Sequence, residues 1–390
     1  MNDNISKPKI LFVDDESQVL DGIRRILYPY KKEWDLYYAL SGEEALLTLE
    51  STKINIVISD MRMPGMNGAE LLKQVKHNHP ETIRIILSGH SDEDMIMKSV
   101  NVAHQFLSKP CEASELIETI KRTFYVRINL KNESLIKVIN GIEELPKMPE
   151  VLLKLEEECN RPNVSIGKIT EILSEDIGLS AKVLQLVNSA FFGLPTRIAD
   201  LEHAVSLIGL NTLRSLILFL KLEHETDAAE IPRQHIKKIL DHSLLVANYA
   251  RKIYEYETQN YNLSKEAFAA GLLHDIGKLI LFKYPKYLTL YNAHKNESLY
   301  KAELSEFNVT HAEVGAYLLS IWNLPDSIVE AVAFHHTELR EAKYNLAFVV
   351  NIANKIADEK YTVDYNSEPG LGESKLKEWR DICSICNKEE

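Results

Sequence analysis

The chain has 390 residues, 45% apolar and 26% charged, a globular composition too long for one ordinary core, so two or three domains are expected. A net charge of −12 with no concentrated basic helix opposes binding to a phosphate backbone, so a nucleic-acid-binding output is disfavoured. No apolar run reaches membrane-spanning length, the start Met1-Asn2-Asp3-Asn4 is polar, and four cysteines suit a reducing compartment; a cytoplasmic protein without membrane association is expected. In chain order, residues 5–125 alternate strand-like and helix-like segments. Strands are predicted at 9–14, 35–40, 54–59, 83–88 and 105–108, with helices near 16–29, 42–50, 67–77 and 92–102. This pattern predicts a doubly wound α/β domain, with a five-stranded parallel sheet covered on both faces.

Ligand chemistry in open α/β sheets collects at the C-terminal tips of strands. The run Ile10-Leu11-Phe12-Val13 ends in Asp14 and Asp15. Ile56-Val57-Ile58-Ser59 ends in Asp60, followed by the turn-rich Met61-Arg62-Met63-Pro64-Gly65-Met66-Asn67-Gly68. Ser88 follows Arg84-Ile85-Ile86-Leu87, and Lys109-Pro110 follows Phe106-Leu107-Ser108. Three carboxylates, a hydroxyl and a lysine on one edge make a site for a divalent cation and a phosphate. The pattern resembles the flavodoxin-like receiver domain of bacterial two-component response regulators. That resemblance implies phosphorylation of Asp60 by a sensor histidine kinase or phosphotransfer protein. It implies Mg²⁺ held by Asp14, Asp15, Asp60 and the backbone carbonyl of Arg62. Ser88 and Lys109 then contact the phosphoryl group, and Phe106 is the aromatic switch. The family more often has Thr where Ser88 stands and Tyr where Phe106 stands. It also suggests a cis Lys109-Pro110 bond.

A helix beginning near Ser114 is expected to continue through a linker, 126–144. Ile117, Phe124, Ile128, Leu135, Val138, Ile142 and Leu145 follow heptad steps, with Lys121 and Lys131 filling the missing positions. Two readings stand: a dimerising signalling helix through 117–145, or an amphipathic helix lying on its own neighbouring domain.

Residues 145–360 read as almost wholly helical, and 361–390 as a polar tail with a short terminal helix. Metal-capable residues recur in apolar helical surroundings: His242, His274-Asp275, His311 and His335-His336. The series resembles the HD superfamily of metal-dependent phosphohydrolases. The resemblance implies a transition metal (Fe, Mn or Zn) at His242, His274, Asp275, His311, His335, His336 and the position held by Asn354, with Lys278 near a reacting phosphate. A carboxylate is expected where Asn354 stands, and an amide is the poorer ligand. Asp358, one turn further on the same face, is the alternative donor.

A closer resemblance is to the HDOD output domain, carried by Leu145-Pro146-Lys147-Met148-Pro149, Glu175-Asp176-Ile177-Gly178-Leu179-Ser180 and Asn188-Ser189-Ala190-Phe191-Phe192-Gly193. The Gly-Tyr-Pro signature of cyclic-di-GMP-hydrolysing relatives is missing after His336, where Thr337-Glu338-Leu339 stands. The expected protein is a response regulator whose HDOD domain is a phosphorylation-gated interaction module for a downstream protein. The alternative is a receiver-controlled, HD-type phosphohydrolase. Cys383-Ser384-Ile385-Cys386 is a CxxC with no partner set, and a structural role is preferred for it.

Overall fold

The structure, a computed structural model, describes residues 7–88, 99, 102–129, 136, 139–140, 149–161, 163–188, 194, 196–224, 233–294, 297–337, 345–358 and 373–384. The chain divides into two compact units, one built on Met1–Glu144, the other on Leu145–Val187, Thr196–Ser320 and Leu324–Glu390.

In the first unit the apolar runs become β1 (Lys9–Val13), β2 (Asp35–Ala39), β3 (Ile56–Asp60), β4 (Ile83–Ser88) and β5 (Gln105–Ser108). They form one parallel sheet in the order β2-β1-β3-β4-β5. Every residue of β3 and β4 is buried, as expected for central strands covered on both faces. Three helices follow the first three strands: α1 (Ser17–Leu27), α2 (Gly42–Ser51) and α3 (Gly68–Asn78). Leu20, Ile23 and Leu27 give α1 its buried stripe.

The start of α3 is tightly specified. Asn67 Oδ1 accepts the Glu70 N–H at 3.0 Å, and Glu70 Oε2 accepts the Asn67 N–H at 3.2 Å, a reciprocal capping box. A Cβ on Gly68 would lie 2.1 Å from the Asp60 carbonyl oxygen, so only glycine lets this helix begin against Asp60. The helix expected near 92–102 lies outside the described residues except at Ser99 and Val102.

Next comes α4 (Ala113–Asn129). Of the proposed heptad seam, Leu135, Val138, Ile142 and Leu145 lie outside the described residues. The described residues beyond α4 include Ile136, Ile139 and Asn140, all buried. The Asn140 carbonyl accepts from Arg84 Nη2 at 2.5 Å, and its side-chain amide donates to the Glu81 carbonyl at 3.1 Å. That position is therefore hydrogen-bonded to the start of β4.

The second unit is helical among the described residues. It runs α5 (Pro149–Cys159), α6 (Ile166–Ser174), α7 (Ile177–Val187), α8 (Leu201–His224), α9 (Arg233–Thr258), α10 (Tyr261–Leu273), α11 (Ile276–Leu281) and α12 (Pro285–Ala293). It continues with α13 (Glu297–Phe307), α14 (His311–Ile321), α15 (Asp326–Phe334), α16 (Leu346–Ala357) and α17 (Glu373–Ser384). Helix α17 is anchored rather than trailing: Leu376, Trp379 and Cys383 are buried. Trp379 Nε1 donates to Glu257 Oε1 at 2.8 Å, and Lys375 Nζ lies 2.7 Å from the same oxygen. The Trp379 ring also meets Phe348 of α16 edge-on, with centroids 6.1 Å apart. Of the CxxC pair, Cys383 is buried, while Cys386 lies outside the described residues.

Candidate functional sites

Strand register assembles the first site. Val13 pairs with Ser59 and Asp60 with Leu87, which brings Asp14, Asp60 and Ser88 to one end of the sheet. Ser88 pairs with Ser108, so Lys109 reaches the same edge. Lys109 Nζ lies 2.7 Å from Asp14 Oδ2 and 2.5 Å from Asp60 Oδ1. Asp14 Oδ1 accepts the Glu16 N–H at 2.9 Å, and Asp60 Oδ2 accepts the Arg62 N–H at 3.2 Å. Asp14 and Asp60 are buried, while Asp15 and Arg62 are exposed.

Burial pushes the Asp60 pKa above the ordinary carboxylate value, against the opposing pull of Lys109. Burial also works against the Lys109 charge, but the two carboxylates outweigh it and its pKa is raised. The Ser88 Oγ is buried and has no hydrogen-bond partner among the described residues, and Phe106, two residues before Ser108, is also buried. An unsatisfied buried hydroxyl is costly, so it invites an incoming acceptor. Replacing Ser88 by Ala removes that unmet group. The receiver unit should then melt at the same temperature or slightly higher, by the equivalent of up to about 1 kcal/mol. Calorimetry on the metal-free protein checks this.

Asp14 and Asp60, brought together by Lys109, offer only oxygens, which suit a hard divalent cation such as Mg²⁺. The cis Lys109-Pro110 bond is present.

The second site is built from helix ends. His242 lies within α9. His274 caps the C-terminus of α10, and Asp275 is the N-cap of α11. His311 opens α14, His335 caps the C-terminus of α15 and is followed by His336, and Asn354 lies in α16. Gly277 is what allows this convergence. A Cβ there would lie 1.9 Å from the His311 carbonyl oxygen and 2.8 Å from the Gly315 nitrogen, so α11 and α14 touch backbone to backbone.

Four of the candidate histidines gather around Asp275. Its Oδ1 lies 3.3 Å from His311 Nε2 and 3.7 Å from His335 Nε2. Its Oδ2 lies 2.5 Å from Lys278 Nζ, 3.4 Å from His274 Nε2 and 4.0 Å from His242 Nε2. Two potential metal sets share this centre: His311, His335 and His336, and His242, His274 and Asp275. Asn354 Oδ1 lies 2.9 Å from His242 Nε2. Asp358 is the C-cap of α16, and burial raises its pKa, with His242 and Lys278 pulling the other way.

Hydrogen bonds fix the histidine tautomers. His274 Nδ1–H donates to the Gly271 carbonyl and His335 Nδ1–H to the Val332 carbonyl, each at 2.7 Å. His311 Nδ1–H donates to Glu303 Oε2 at 2.6 Å. In all three rings the Nε2 therefore faces Asp275, the arrangement that outer-shell acceptors impose on metal-ligating histidines. Burial drives the His274 pKa down to about 3, and burial plus neighbouring charges hold His335 and His336 well below the ordinary histidine value. His311 goes the other way. Burial opposes its charge, but Glu303 overcomes it and raises the pKa. Among the described residues, His274 Nε2 and Asp275 Oδ1 are buried with no hydrogen-bond partner, which is how a cation's missing bonds would look.

Sequence reasoning missed Glu303 and Tyr287. Glu303, fully buried on α13, also accepts the His311 backbone N–H at 2.8 Å and the Tyr287 hydroxyl at 2.6 Å. A lone Glu eight residues before His311 carries no local signal. Its role depends on how α13 packs beside the start of α14.

Residues 10–121 match the family model of the response regulator receiver domain, and residues 145–338 match that of the HDOD domain. The chain is a receiver–HDOD response regulator. The HDOD match ends before α16, so Asn354 lies beyond it. The response regulator is 28% identical over 203 residues to an uncharacterized protein of Treponema pallidum (strain Nichols), covering 51% of this chain and 39% of that protein. It is 36% identical over 115 residues to the hydrogenase transcriptional regulatory protein HoxA of Cupriavidus necator, covering 29% of this chain and 23% of that protein. The response regulator thus spans well under two thirds of both relatives. Among solved structures it resembles the MmoQ response regulator of Methylococcus capsulatus str. Bath, with a TM-score of 0.49 and 23% identity, covering 61% of this chain and 98% of that one. Among the described residues, no helix is long and apolar enough to cross a membrane.

Proposed function

We propose that Asp60 is the phosphoacceptor, taking a phosphoryl group from a sensor histidine kinase or phosphotransfer protein, and that this event switches the HDOD domain as an interaction module for a downstream protein. The observation that carries the reading is the buried pair Asp14 and Asp60, clamped by one lysine, on a strand edge shared with an unpartnered Ser88 hydroxyl. An Asp60 oxygen is the nucleophile, forming a P–O bond as the donor's P–N bond breaks. Mg²⁺, held by Asp14, Asp15, Asp60 and the Arg62 carbonyl, supplies charge neutralisation when bound. Lys109, already 2.7 Å from Asp14, stays within the site as a counter-charge for the phosphoryl oxygens. Ser88 turns its hydroxyl to the same oxygens, and the space it leaves is open to Phe106. Two alternative packings biased by a local charge make a switch.

The test is full-length protein incubated with Mg²⁺ and a small acyl-phosphate donor. The expected intact mass gains a single phosphoryl group, removed by hydroxylamine or mild alkali as an acyl phosphate is, and not gained when the cation is omitted. A chain that stays unlabelled overturns the reading.

A second reading is favoured by one specific observation: the buried, unpartnered His274 Nε2 and Asp275 Oδ1 at the centre of the histidine cluster. In this reading the HDOD domain holds a transition metal within the histidine cluster around Asp275, as HD-type domains bind metals, and acts as a phosphohydrolase. A bound metal there supplies Lewis-acid chemistry. The neutral Asn354 and the absent Gly-Tyr-Pro signature keep it second.

A further inference from the structure

The two halves of the histidine cluster are unequal. Around Asp275 Oδ1, His311 Nε2 lies 3.1 Å from His336 Nε2 and 3.3 Å from His335 Nε2. Ligand nitrogens on one ion with bonds of about 2.1 Å stand about 3.0–3.4 Å apart, so this is the spacing of a coordination edge. With Nδ1–H of His311 and His335 both committed elsewhere, their Nε2 atoms face each other, an arrangement that a shared cation, or a proton on His311 Nε2, makes favourable. Asp275 Oδ1 is free to join them. Behind His311 stands the buried carboxylate of Glu303, held by Tyr287.

The other half has two imidazoles among the described residues, His242 and His274. His242 has its Nε2 paired with Asn354 at 2.9 Å, and either orientation of that amide uses the ring nitrogen. The Asp275 oxygen on this side is bonded to Lys278 Nζ at 2.5 Å, so an ammonium already occupies the anionic position. Asp358 is not among the ligand atoms that cluster in this half, so among its described residues the His274 Nε2 lone pair is left as the uncommitted donor, too little to hold an ion beside an ammonium.

We infer that the HDOD domain holds one metal ion and not two, through His311, His335, His336 and Asp275 Oδ1, with Glu303 as the outer carboxylate, and that the half formed by His242, His274 and Asn354 is closed to metal by Lys278 and the amide. Three imidazoles and one carboxylate select a late first-row divalent ion over magnesium. This rests on the metal-binding reading of the second site and does not depend on the phosphoryl site.

The experiment strips full-length protein with chelator and titrates it with Co²⁺, following visible absorption and equilibrium dialysis, with thermal melts of each variant. One cobalt per chain is expected. His336→Gln loses it, Glu303→Gln binds about 10–100-fold more weakly, and His242→Gln binds as the parent does. The double variant Lys278→Met, Asn354→Asp gains a second cobalt, a result that no folding defect can mimic. Two ions in the parent overturn the inference, as does loss on His242→Gln with retention on His336→Gln. A double variant that stays at one ion overturns the account of the closed half. No cobalt in a parent that melts cooperatively overturns the metal reading itself and this inference with it.

Discussion

Asp60→Asn abolishes phosphoryl labelling and leaves the melting temperature of the receiver unit unchanged or raised. The first half follows because an amide oxygen is a poor nucleophile, so the variant cannot form the acyl phosphate. The second half follows from crowding. At an effective dielectric near 20, two like charges about 4 Å apart repel by on the order of 4 kcal/mol. Lys109 relieves this only by serving both acids, and after the substitution it keeps Asp14 at 2.7 Å to itself. The pH dependence points the same way. Burial sets the Asp60 pKa above its unfolded value of 3.8, so the folded state holds that proton longer than the unfolded chain does. Stability is therefore lost as pH rises from 3.8 through the folded pKa, and the penalty is complete above that folded pKa. The amide carries no such penalty. The measurements are intact mass with a phosphodonor and calorimetry without Mg²⁺. Residual labelling would place the phosphoryl group on another residue, and a clear fall in melting temperature would show that the Asp60–Lys109 pair outweighs the crowding.

Asp275→Ala destabilises the helical unit by about 3–5 kcal/mol in metal-free protein, the cost of removing one partner from a buried ion pair. Asp275 is buried and bonds Lys278 at 2.5 Å. Without it the ammonium of Lys278 is left among imidazoles. Burial alone would raise the Asp275 pKa, but His274, Lys278 and His311 hold it well below 3.8. Its contribution is thus complete above pH 3.8 and lost as pH falls toward the folded pKa, so the gap between parent and variant should stay constant near neutrality and close only in strong acid. The parent itself should melt lower as pH drops below 6.5. There the unfolded chain takes up protons that His274, His335 and His336 refuse in the fold, whereas the stability from the raised pKa of His311 is gained as pH falls toward 6.5 from above and is already complete below it. Denaturant titrations at pH 8, 6 and 5 in chelator measure both effects. An alanine variant as stable as the parent would mean that Lys278 finds another partner or water.

The receiver was legible because its signals are local. A β-rich run ending in an acid, repeated and then completed by a serine and a lysine, declares strand tips, and parallel pairing brings tips together without long-range information. The metal-capable residues were legible one by one, since His274-Asp275 and His335-His336 stand out in apolar helices. Their division into two halves was not. That depends on which oxygen of Asp275 faces Lys278 and on the pairing of His242 with Asn354 across 112 positions of sequence. Glu303 was hidden for the same reason, because a charged residue in an amphipathic helix reads as solvated until its neighbours are placed. The heptad steps through 117–145 illustrate the opposite limit. Periodicity names a stripe but not what covers it, and most of that stripe lies outside the described residues.

The last helix has a practical consequence. Trp379 and Lys375 grip Glu257 near the end of α9, and Trp379 also abuts Phe348 on α16. These are the two helices that supply His242 and Asn354. Trimming the polar C-terminal region to tidy the protein would therefore strip a brace from the wall of the histidine cluster. Affinity handles and fluorescent fusions on this protein are best attached with the final helix left whole.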